Sequence, residues 1–288
     1  MKIESINRDF VAEISRIEPK QAFSDDTFGT LHEAIDIHGV AVFRNQFLTD
    51  SELVAFAERL GPLEKPLARD QYGGVHERVT MLANVDDDGS VMDQGSKHAV
   101  YMKGNLLWHS DSSFKPIPCT YSLLAAHEVP SEGGDTEFAD ARACYDDWQG
   151  PFGETTKDEL EDLVCEHSII YSRSLISGDI FSDQEKIEFE PPHQPLVRIH
   201  SRTGRKIYYV GSHCSHVVGW PVEKGRALVR EISGFCARPE HIYSHRWRAG
   251  DVVIWDNRSV LHRGRTFDPA ERRVMHRATV AGDGPLLP

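Results

Sequence analysis

The pattern of apolar and polar residues divides the chain into a partly helical beginning and a strand-rich remainder. Residues 24–38 have a polar helical pattern and lead into residues 39–44, a short apolar run typical of a buried strand. Thr49 and Glu52 form a capping box. The helix that follows has one apolar face, made of Leu53, Phe56, Ala57 and Leu60. These features predict a layer of helices and strands over residues 1–100.

Short strand patterns separated by turns dominate the chain beyond residue 119. The predicted strands are Thr120–His127, Thr136–Phe138, Leu196–His200, Lys206–Val210, Ile242–Trp247, Val252–Trp255 and Val274–Val280. Residues 202–205 predict a hairpin turn, and helical patterns at about 155–166 and 222–233 interrupt the series. We therefore expect a mainly β protein with helices (α+β), in which a double-stranded β-helix (jelly-roll) core has helices packed outside. No linker pattern divides the chain, so we expect a single domain, 1–288, with the jelly-roll core at 101–288.

The charge balance bears on possible partners. The net charge is −13, with 45 acidic against 32 basic residues. An acidic surface repels phosphate groups, so we expect neither nucleic acid nor an anionic membrane as a partner.

The cysteines and the apolar segments bear on the compartment. The five cysteines are scattered and contain no C-x-x-C pair. This usage predicts buried free thiols in a reducing compartment, without a disulfide framework or a zinc cluster. No leader-like or membrane-length apolar run occurs in the sequence, so we expect a cytoplasmic protein.

Candidate chemistry is concentrated in residues 107–114, where His109 and Asp111 are two positions apart. In an extended strand such residues share a face, about 6.6 Å apart at the usual rise per residue. An imidazole nitrogen and a carboxylate oxygen placed in this way can bind one divalent metal ion. Alone, the pattern is more typical of a solvated strand end.

Residues near the end of the chain strengthen the metal interpretation. His262 follows a predicted strand and turn, and it can supply the third ligand of a 2-His-1-carboxylate triad if the sheet closes on itself. Arg273 and Arg277 share one face of the last predicted strand, about 13 Å apart. Unpaired arginines are costly inside a barrel, so their presence predicts two bound anions.

Together these residues resemble the iron(II)- and 2-oxoglutarate-dependent dioxygenases of the taurine dioxygenase type. The resemblance runs from about residue 28 to the end of the chain, and within the family the chain is similar to the 2,4-dichlorophenoxyacetate dioxygenase branch. The motifs that carry the resemblance are Trp108-His109-Ser110-Asp111, Gly133-Gly134-Asp135-Thr136, Ile254-Trp255-Asp256-Asn257-Arg258, His262, Arg273 and Arg277.

The resemblance implies a role for each matching residue. His109, Asp111 and His262 would bind Fe(II). Arg273 would bind the distal carboxylate of the cosubstrate 2-oxoglutarate together with the Thr136 hydroxyl, and Trp255 would form a wall of the site.

The substrate residues follow from the same resemblance. Arg277 would bind the acidic group of a small anionic substrate, and Asn105 would contact that substrate. His216 and Arg69 match positions near the substrate in the phenoxyacetate branch, as does His213. The alternative for the two histidines is a solvated loop, and for His200 at a strand end a structural role is the better interpretation.

The activity that the resemblance implies is hydroxylation of an aryloxyacetate-like acid to a phenol and glyoxylate, as 2-oxoglutarate and O2 yield succinate and CO2. One alternative is an alkylsulfonate or another small carboxylic acid as substrate. Against a sulfonate, residues 63–66 contain no counterpart of the histidine with which the taurine enzyme binds its substrate. An alternative of another class is a metal-binding jelly roll without turnover. Related enzymes are dimers or tetramers, so we expect a homo-oligomer.

Overall fold

The computed structural model describes residues 1–66, 76–86, 88–178 and 181–286. Its helices and strands are β1 (Lys2–Asn7), β2 (Val11–Ser15), α1 (Asp25–His38), β3 (Val40–Phe43), α2 (Asp50–Glu58), β4 (Thr80–Ala83), α3 (Lys97–Met102), β5 (Tyr121–Glu128), β6 (Thr136–Asp140), α4 (Ala141–Asp147), α5 (Lys157–Glu161), β7 (Val164–His167), α6 (Ile169–Ser174), α7 (Asp183–Glu188), β8 (His193–Pro195), β9 (Val197–Ile199), β10 (Lys206–Tyr208), β11 (Cys214–Val217), α8 (Val222–Cys236), β12 (Ile242–His245), β13 (Val252–Asp256), β14 (Val260–Gly264) and β15 (Val274–Thr279). The protein is thus of the α+β class, as predicted. No helix in these ranges is long and apolar enough to cross a membrane.

The largest sheet has seven strands in the order β1-β2-β3-β13-β5-β15-β4. Only the pair β2–β3 is parallel among its strand pairs. One face of the sheet is covered by α1 and α2, whose Leu31 and Phe56 share a buried cluster with Leu123 and Ile254. Both helices begin as the sequence predicts, and α1 also ends as predicted, whereas α2 ends at Glu58 and leaves Leu60 of the predicted apolar face outside the helix. Ser24 caps α1, Gly39 ends it with a φ of 78°, and the Thr49–Glu52 capping box starts α2.

The other face of this sheet packs against a smaller one, with the strand order β12-β6-β14. Leu124 and Val253, the strand neighbours of Leu123 and Ile254, point into this second interface, where they share a cluster with Phe138 and Val260. The central strands β5 and β13 are therefore buried on both faces. Thr136 of β6, His262 of β14 and Arg277 of β15 line one cavity, and the candidate site lies there.

A third buried cluster lies under α8 and the sheet β11-β7-β8. Two sequence predictions are wrong in this region, one about the length of a helix and one about two cysteines. The helix expected over 155–166 is limited to Lys157–Glu161, because the following residues form β7, which pairs with β8 and β11. Strand pairing overrides the helical periodicity at this point.

The prediction of free thiols is wrong for two of the five cysteines. Cys144 of α4 and Cys236 of α8 form a disulfide with a Cα–Cα distance of 5.2 Å. The packing of α4 and α8 in one cluster brings the two residues together across 92 positions of sequence. Cys119, Cys165 and Cys214 are buried free thiols, as expected.

Candidate active site

Two of the three predicted metal ligands are joined by their own backbones. His262 lies in the middle of β14 and forms an isolated bridge with His109. The His109 N–H donates to the His262 carbonyl at 3.0 Å, and the His262 N–H donates to the His109 carbonyl at 2.8 Å. The expectation that His109 and Asp111 share an extended strand is wrong, since Asp111 begins a turn. Another contact must therefore place Asp111.

The side chains of His109, Asp111 and His262 converge in a buried cluster. One donor atom from each lies within 4.8 Å of the others. The distances to the Asp111 carboxylate are 3.8 Å from Nε2 of His109 and 3.6 Å from Nε2 of His262. Nδ1 of His109 lies 2.7 Å from the carbonyl oxygen of Leu107. This contact requires the proton on Nδ1 and leaves the Nε2 lone pair for a metal ion, so the donor set fits a divalent metal.

A hydrogen-bond network holds Asp111 in the position that its turn alone does not fix. Its backbone N–H donates to Oδ1 of Asn257 at 3.1 Å, and Ser122 donates to its Oδ2 at 2.7 Å. Asn257 Nδ2 also donates to Ser122 at 3.0 Å, which closes the network. Sequence reasoning assigned no role to Ser122 or Asn257. The signal for Asn257 was its place in the Trp-Asp-Asn-Arg motif, whereas Ser122 carried none.

The protonation states of the triad suit metal binding. Burial, together with the neighbouring His109, lowers the pKa of His262 to about 3. Burial also lowers the pKa of His109. For Asp111, burial acts to raise the pKa, but the Arg277 guanidinium, the polar histidine neighbours and the Ser122 hydrogen bond outweigh it and hold this pKa well below its usual range. The site thus contains neutral imidazoles and an ionised carboxylate.

A cavity of about 320 Å³ lies beside the triad, lined by His109, His262, Thr136, Trp255 and Arg273. The Trp255 ring is 4.7 Å from the His262 ring, between centroids. The structure therefore brings together the residues that sequence analysis assigned to the metal and to the cosubstrate.

The two residues predicted to bind the cosubstrate, Arg273 and Thr136, both line this cavity. Nε of Arg273 donates to the Gly134 carbonyl at 3.2 Å, but Arg273 forms no ion pair with a carboxylate of the described residues. Burial lowers its pKa to about 10, because the charged guanidinium is removed from water. A bound anion would offset this desolvation cost. Thr136 accepts a hydrogen bond of 2.9 Å from Nε1 of Trp247. Trp247 lies in the connection between β12 and β13, and sequence reasoning missed it.

The substrate residues are only partly brought together. Asn105 and Arg277 line the same cavity, and both also line a smaller polar pocket that contains His213. His213 is buried, and its ring lies 5.8 Å from that of His109. His216 lines neither pocket, because its ring faces Ser215 and lies 3.8 Å from Glu166.

Two further sequence predictions concern residues away from the cavity. His200 lies 2.8 Å from the buried Asp256 carboxylate, which supports the structural interpretation. The prediction for Arg69 falls outside the described residues.

The profile of the taurine catabolism dioxygenase TauD, TfdA family matches residues 2–279. The chain belongs to this family. It is a 2-oxoglutarate-dependent dioxygenase, as its relatives in this family are. The enzyme requires Fe(II), 2-oxoglutarate and O2. The predicted enzyme class and cofactors are therefore confirmed.

Individual members of the TauD, TfdA family are similar over nearly the whole chain. The α-ketoglutarate-dependent 2,4-dichlorophenoxyacetate dioxygenase of Cupriavidus pinatubonensis is 39% identical over 95% of each chain. The (S)-phenoxypropionate/α-ketoglutarate dioxygenase of Sphingobium herbicidovorans is 34% identical over 85% of this chain and 83% of its own. The crystal structure of AAD-2 with Mn(II) and N-oxalylglycine superimposes with a TM-score of 0.91 at 38% identity, over 99% of this chain and all of its own.

Proposed function

We propose that this enzyme hydroxylates the carbon next to the ether oxygen of an aryloxyacetate-like acid. One atom of O2 enters that carbon as a hydroxyl group and the other enters succinate, while 2-oxoglutarate loses CO2. The hydroxylated product is a hemiacetal, which breaks at the carbon–oxygen bond to give a phenol and glyoxylate. One observation carries this proposal. The Arg277 guanidinium donates a hydrogen bond to the proposed metal ligand Asp111 and also lines the cavity.

The residues of the triad would hold Fe(II) through Nε2 of His109 and His262 and the Asp111 carboxylate. A metal ion bound by three protein ligands keeps open positions at which it can activate O2 with the keto acid. Arg273 and Thr136 would bind the distal carboxylate of 2-oxoglutarate, since a guanidinium and a hydroxyl that line the same cavity match an anion. Trp255 would restrict the space beside His262.

The cavity wall supports an aromatic acid as the substrate. Arg277 and Asn105 would bind its carboxylate near Asp111. Apolar side chains cover much of the remaining wall, and they are Leu82, Met92, Met102, Leu106 and Phe267. An aryl ring held against these side chains would exclude water and place the ether-linked carbon beside the metal, so that binding geometry selects the bond to be oxidised.

Oxygen consumption with a panel of acids tests this assignment. We expect O2 uptake and a phenol product with aryloxyacetates, and no sulfite from taurine. Sulfite from taurine without phenol from any aryloxyacetate would instead show an alkylsulfonate dioxygenase.

Anaerobic absorbance separates catalysis from mere metal binding. Fe(II) and 2-oxoglutarate together should give a weak visible charge-transfer band, and an aryloxyacetate should shift it. Absence of the band would contradict the assignment of the two binding sites and favour a metal-binding protein without turnover.

We also propose that residues 1–288 form one catalytic domain with a jelly-roll core at 101–288, because β1 at the beginning of the chain and β15 near its end belong to the same sheet. Assembly into a homo-oligomer, a dimer or tetramer, is supported by the family resemblance, and light scattering tests it. We further propose a cytoplasmic enzyme that acts on free small acids and binds neither nucleic acid nor membranes. Its net charge of −13 supports the choice of partners.

A further inference from the structure

A second group of two histidines and one aspartate lies outside the cavity. Asp50, His127 and His276 each offer one donor atom, and these atoms lie within 4.8 Å of one another. Asp50 is the first residue of α2, and its Oδ1 lies 2.5 Å from Nδ1 of His276. The rings of His127 and His276 are 4.1 Å apart between centroids.

The strands place this second group on the opposite side of the large sheet from the cavity. Along β15, Met275 is buried between the two sheets and Arg277 reaches Asp111. His276 lies between them in sequence, so its side chain points to the side covered by α2. The two groups are thus separated by the thickness of the sheet.

A β-bulge brings His127 beside His276. In the pairing of β5 with β15, Glu128 lies opposite Val274 and Ala126 lies opposite Met275, which leaves His127 as the extra residue. Bulges are often used to redirect one side chain. Here the redirected imidazole lies against a second imidazole, and its ring nitrogens make no hydrogen bond to a described residue.

The charges of the second group match a cation. The Asp50 carboxylate is fixed on both oxygens, since Oδ2 accepts a hydrogen bond of 3.2 Å from the backbone of His76. Burial acts to raise the pKa of Asp50, but its contact with His276 outweighs this effect and keeps the carboxylate ionised. Burial lowers the pKa of His127, as does the neighbouring His276, so His127 keeps a lone pair at neutral pH.

We propose that Asp50, His127 and His276 form a second metal site, which binds a borderline divalent cation such as Zn²⁺. Two imidazole nitrogens and one carboxylate oxygen are donors that such a cation accepts, and water can complete its coordination. The cation would take the place of the proton in the hydrogen bond between Asp50 and His276. The site is independent of the catalytic assignment, because it uses none of the same side chains.

Equilibrium dialysis of the purified full chain against Zn²⁺, with metal counted by atomic emission, tests the proposal. We expect two equivalents of Zn²⁺ per chain. His127→Gln and, separately, Asp50→Asn should each remove one equivalent and leave dioxygenase activity with Fe(II) unchanged. His193→Gln is the matched control, because His193 is an exposed histidine on the distant strand β8, and it should retain both equivalents.

A His262→Gln variant separates this proposal from the catalytic one. We expect it to lose the other equivalent and to retain the one that depends on His127. If His262→Gln binds as much Zn²⁺ as the wild type while His127→Gln loses one equivalent, the assignment of the catalytic metal site is wrong and the second site is supported. A wild-type protein that binds one equivalent, all of it lost in His262→Gln, overturns the second site. So does a second equivalent that survives His127→Gln in a protein whose circular dichroism is unchanged.

Discussion

Arg277 donates a hydrogen bond of 2.7 Å from Nη1 to Oδ1 of Asp111. The residue proposed to bind the substrate acid thus contacts a proposed metal ligand directly. Without metal, the Asp111 carboxylate and the substrate carboxylate compete for one guanidinium. A divalent cation neutralises Asp111 and makes the guanidinium available to the substrate.

Metal loading should therefore strengthen substrate binding. A charge-assisted hydrogen bond contributes about 1.5–3 kcal/mol, so we expect Mn²⁺-loaded protein to bind an aryloxyacetate about tenfold to a hundredfold more tightly than the metal-free protein. Calorimetric titration in the presence and absence of Mn²⁺ measures the difference. In Arg277→Ala the difference should largely disappear, and equal affinities in the wild-type protein would contradict the coupling.

The two arginines should fail in different ways when they are replaced. Arg277→Ala should raise the KM for the substrate while 2-oxoglutarate decay without substrate oxidation persists. Arg273→Ala should instead raise the KM for 2-oxoglutarate, because its guanidinium lines the cavity with Thr136 and, unlike that of Arg277, makes no hydrogen bond to Asp111. Steady-state kinetics with each substrate varied in turn measures both effects. Identical behaviour of the two variants would contradict the division into two anion sites.

Ser122 should influence metal affinity although it is not a proposed ligand. Its hydroxyl holds Oδ2 of Asp111 at 2.7 Å. Loss of a residue that orients a ligand weakens metal binding by about 10–100-fold in other proteins, so we expect this range for Ser122→Ala. Anaerobic Fe(II) titration measures it. Ser244→Ala is the control, because Ser244 is exposed on β12, and it should bind Fe(II) as the wild type does. An unchanged Fe(II) affinity in Ser122→Ala would contradict the role of Ser122 in orienting Asp111.

Trp247 should act on 2-oxoglutarate through Thr136. Because the indole donates to the Thr136 oxygen, the hydroxyl proton remains to be donated to a carboxylate. Loss of one neutral hydrogen bond costs about 0.5–1.5 kcal/mol, so Trp247→Phe should raise the KM for 2-oxoglutarate about two- to tenfold. A double-mutant cycle is the check. In a Thr136→Val background the Trp247→Phe substitution should have little further effect, and a full additive effect would show that the tryptophan acts by packing alone.

His167 should make the fold sensitive to acid. It is buried, neither ring nitrogen has a hydrogen-bond partner among the described residues, and burial lowers its pKa from 6.5 to about 3. The unfolded chain takes up this proton below about pH 6.5 while the folded protein does not, so stability is lost as the pH falls. At pH 5 the loss from this group is about 2 kcal/mol.

Urea unfolding at pH 7.5 and pH 5 measures this effect. The His167→Phe variant keeps a ring against Tyr209, whose ring is 5.1 Å away, and should lose about 2 kcal/mol less than the wild type on acidification. Exposed His193 provides the control, since His193→Gln should behave as the wild type does. The same loss in His167→Phe as in the wild type would show that His167 is not the group responsible.

The chemistry of the site was readable from the sequence more completely than its geometry. His109, Asp111, His262, Arg273 and Arg277 carry functional groups whose spacing and strand context predict a metal and two anions, and the structure brings them together. The strand pattern likewise predicted most of the sheet, because burial of one or both faces leaves a periodic signature.

Several of the missed features depend on contacts between distant parts of the chain. Trp247 and Thr136 are 111 positions apart, and Ser122 and Asn257 are 135 apart. The Cys144–Cys236 disulfide depends on how two helices pack. No periodicity records such contacts, and the turn that begins at Asp111 is fixed by Asn257 rather than by local preference.

The reciprocal backbone hydrogen bonds between His109 and His262 fix the spacing of the two main-chain positions from which the imidazoles project. Side-chain changes elsewhere in the cavity wall can then alter which acid is admitted without moving the reaction centre. Most residues of the cavity wall belong to the segments 82–106 and 264–269, which include neither His109 nor His262. Randomised libraries confined to these two segments are thus a rational starting point for evolving a catalyst toward new herbicides, with iron loading preserved across the library.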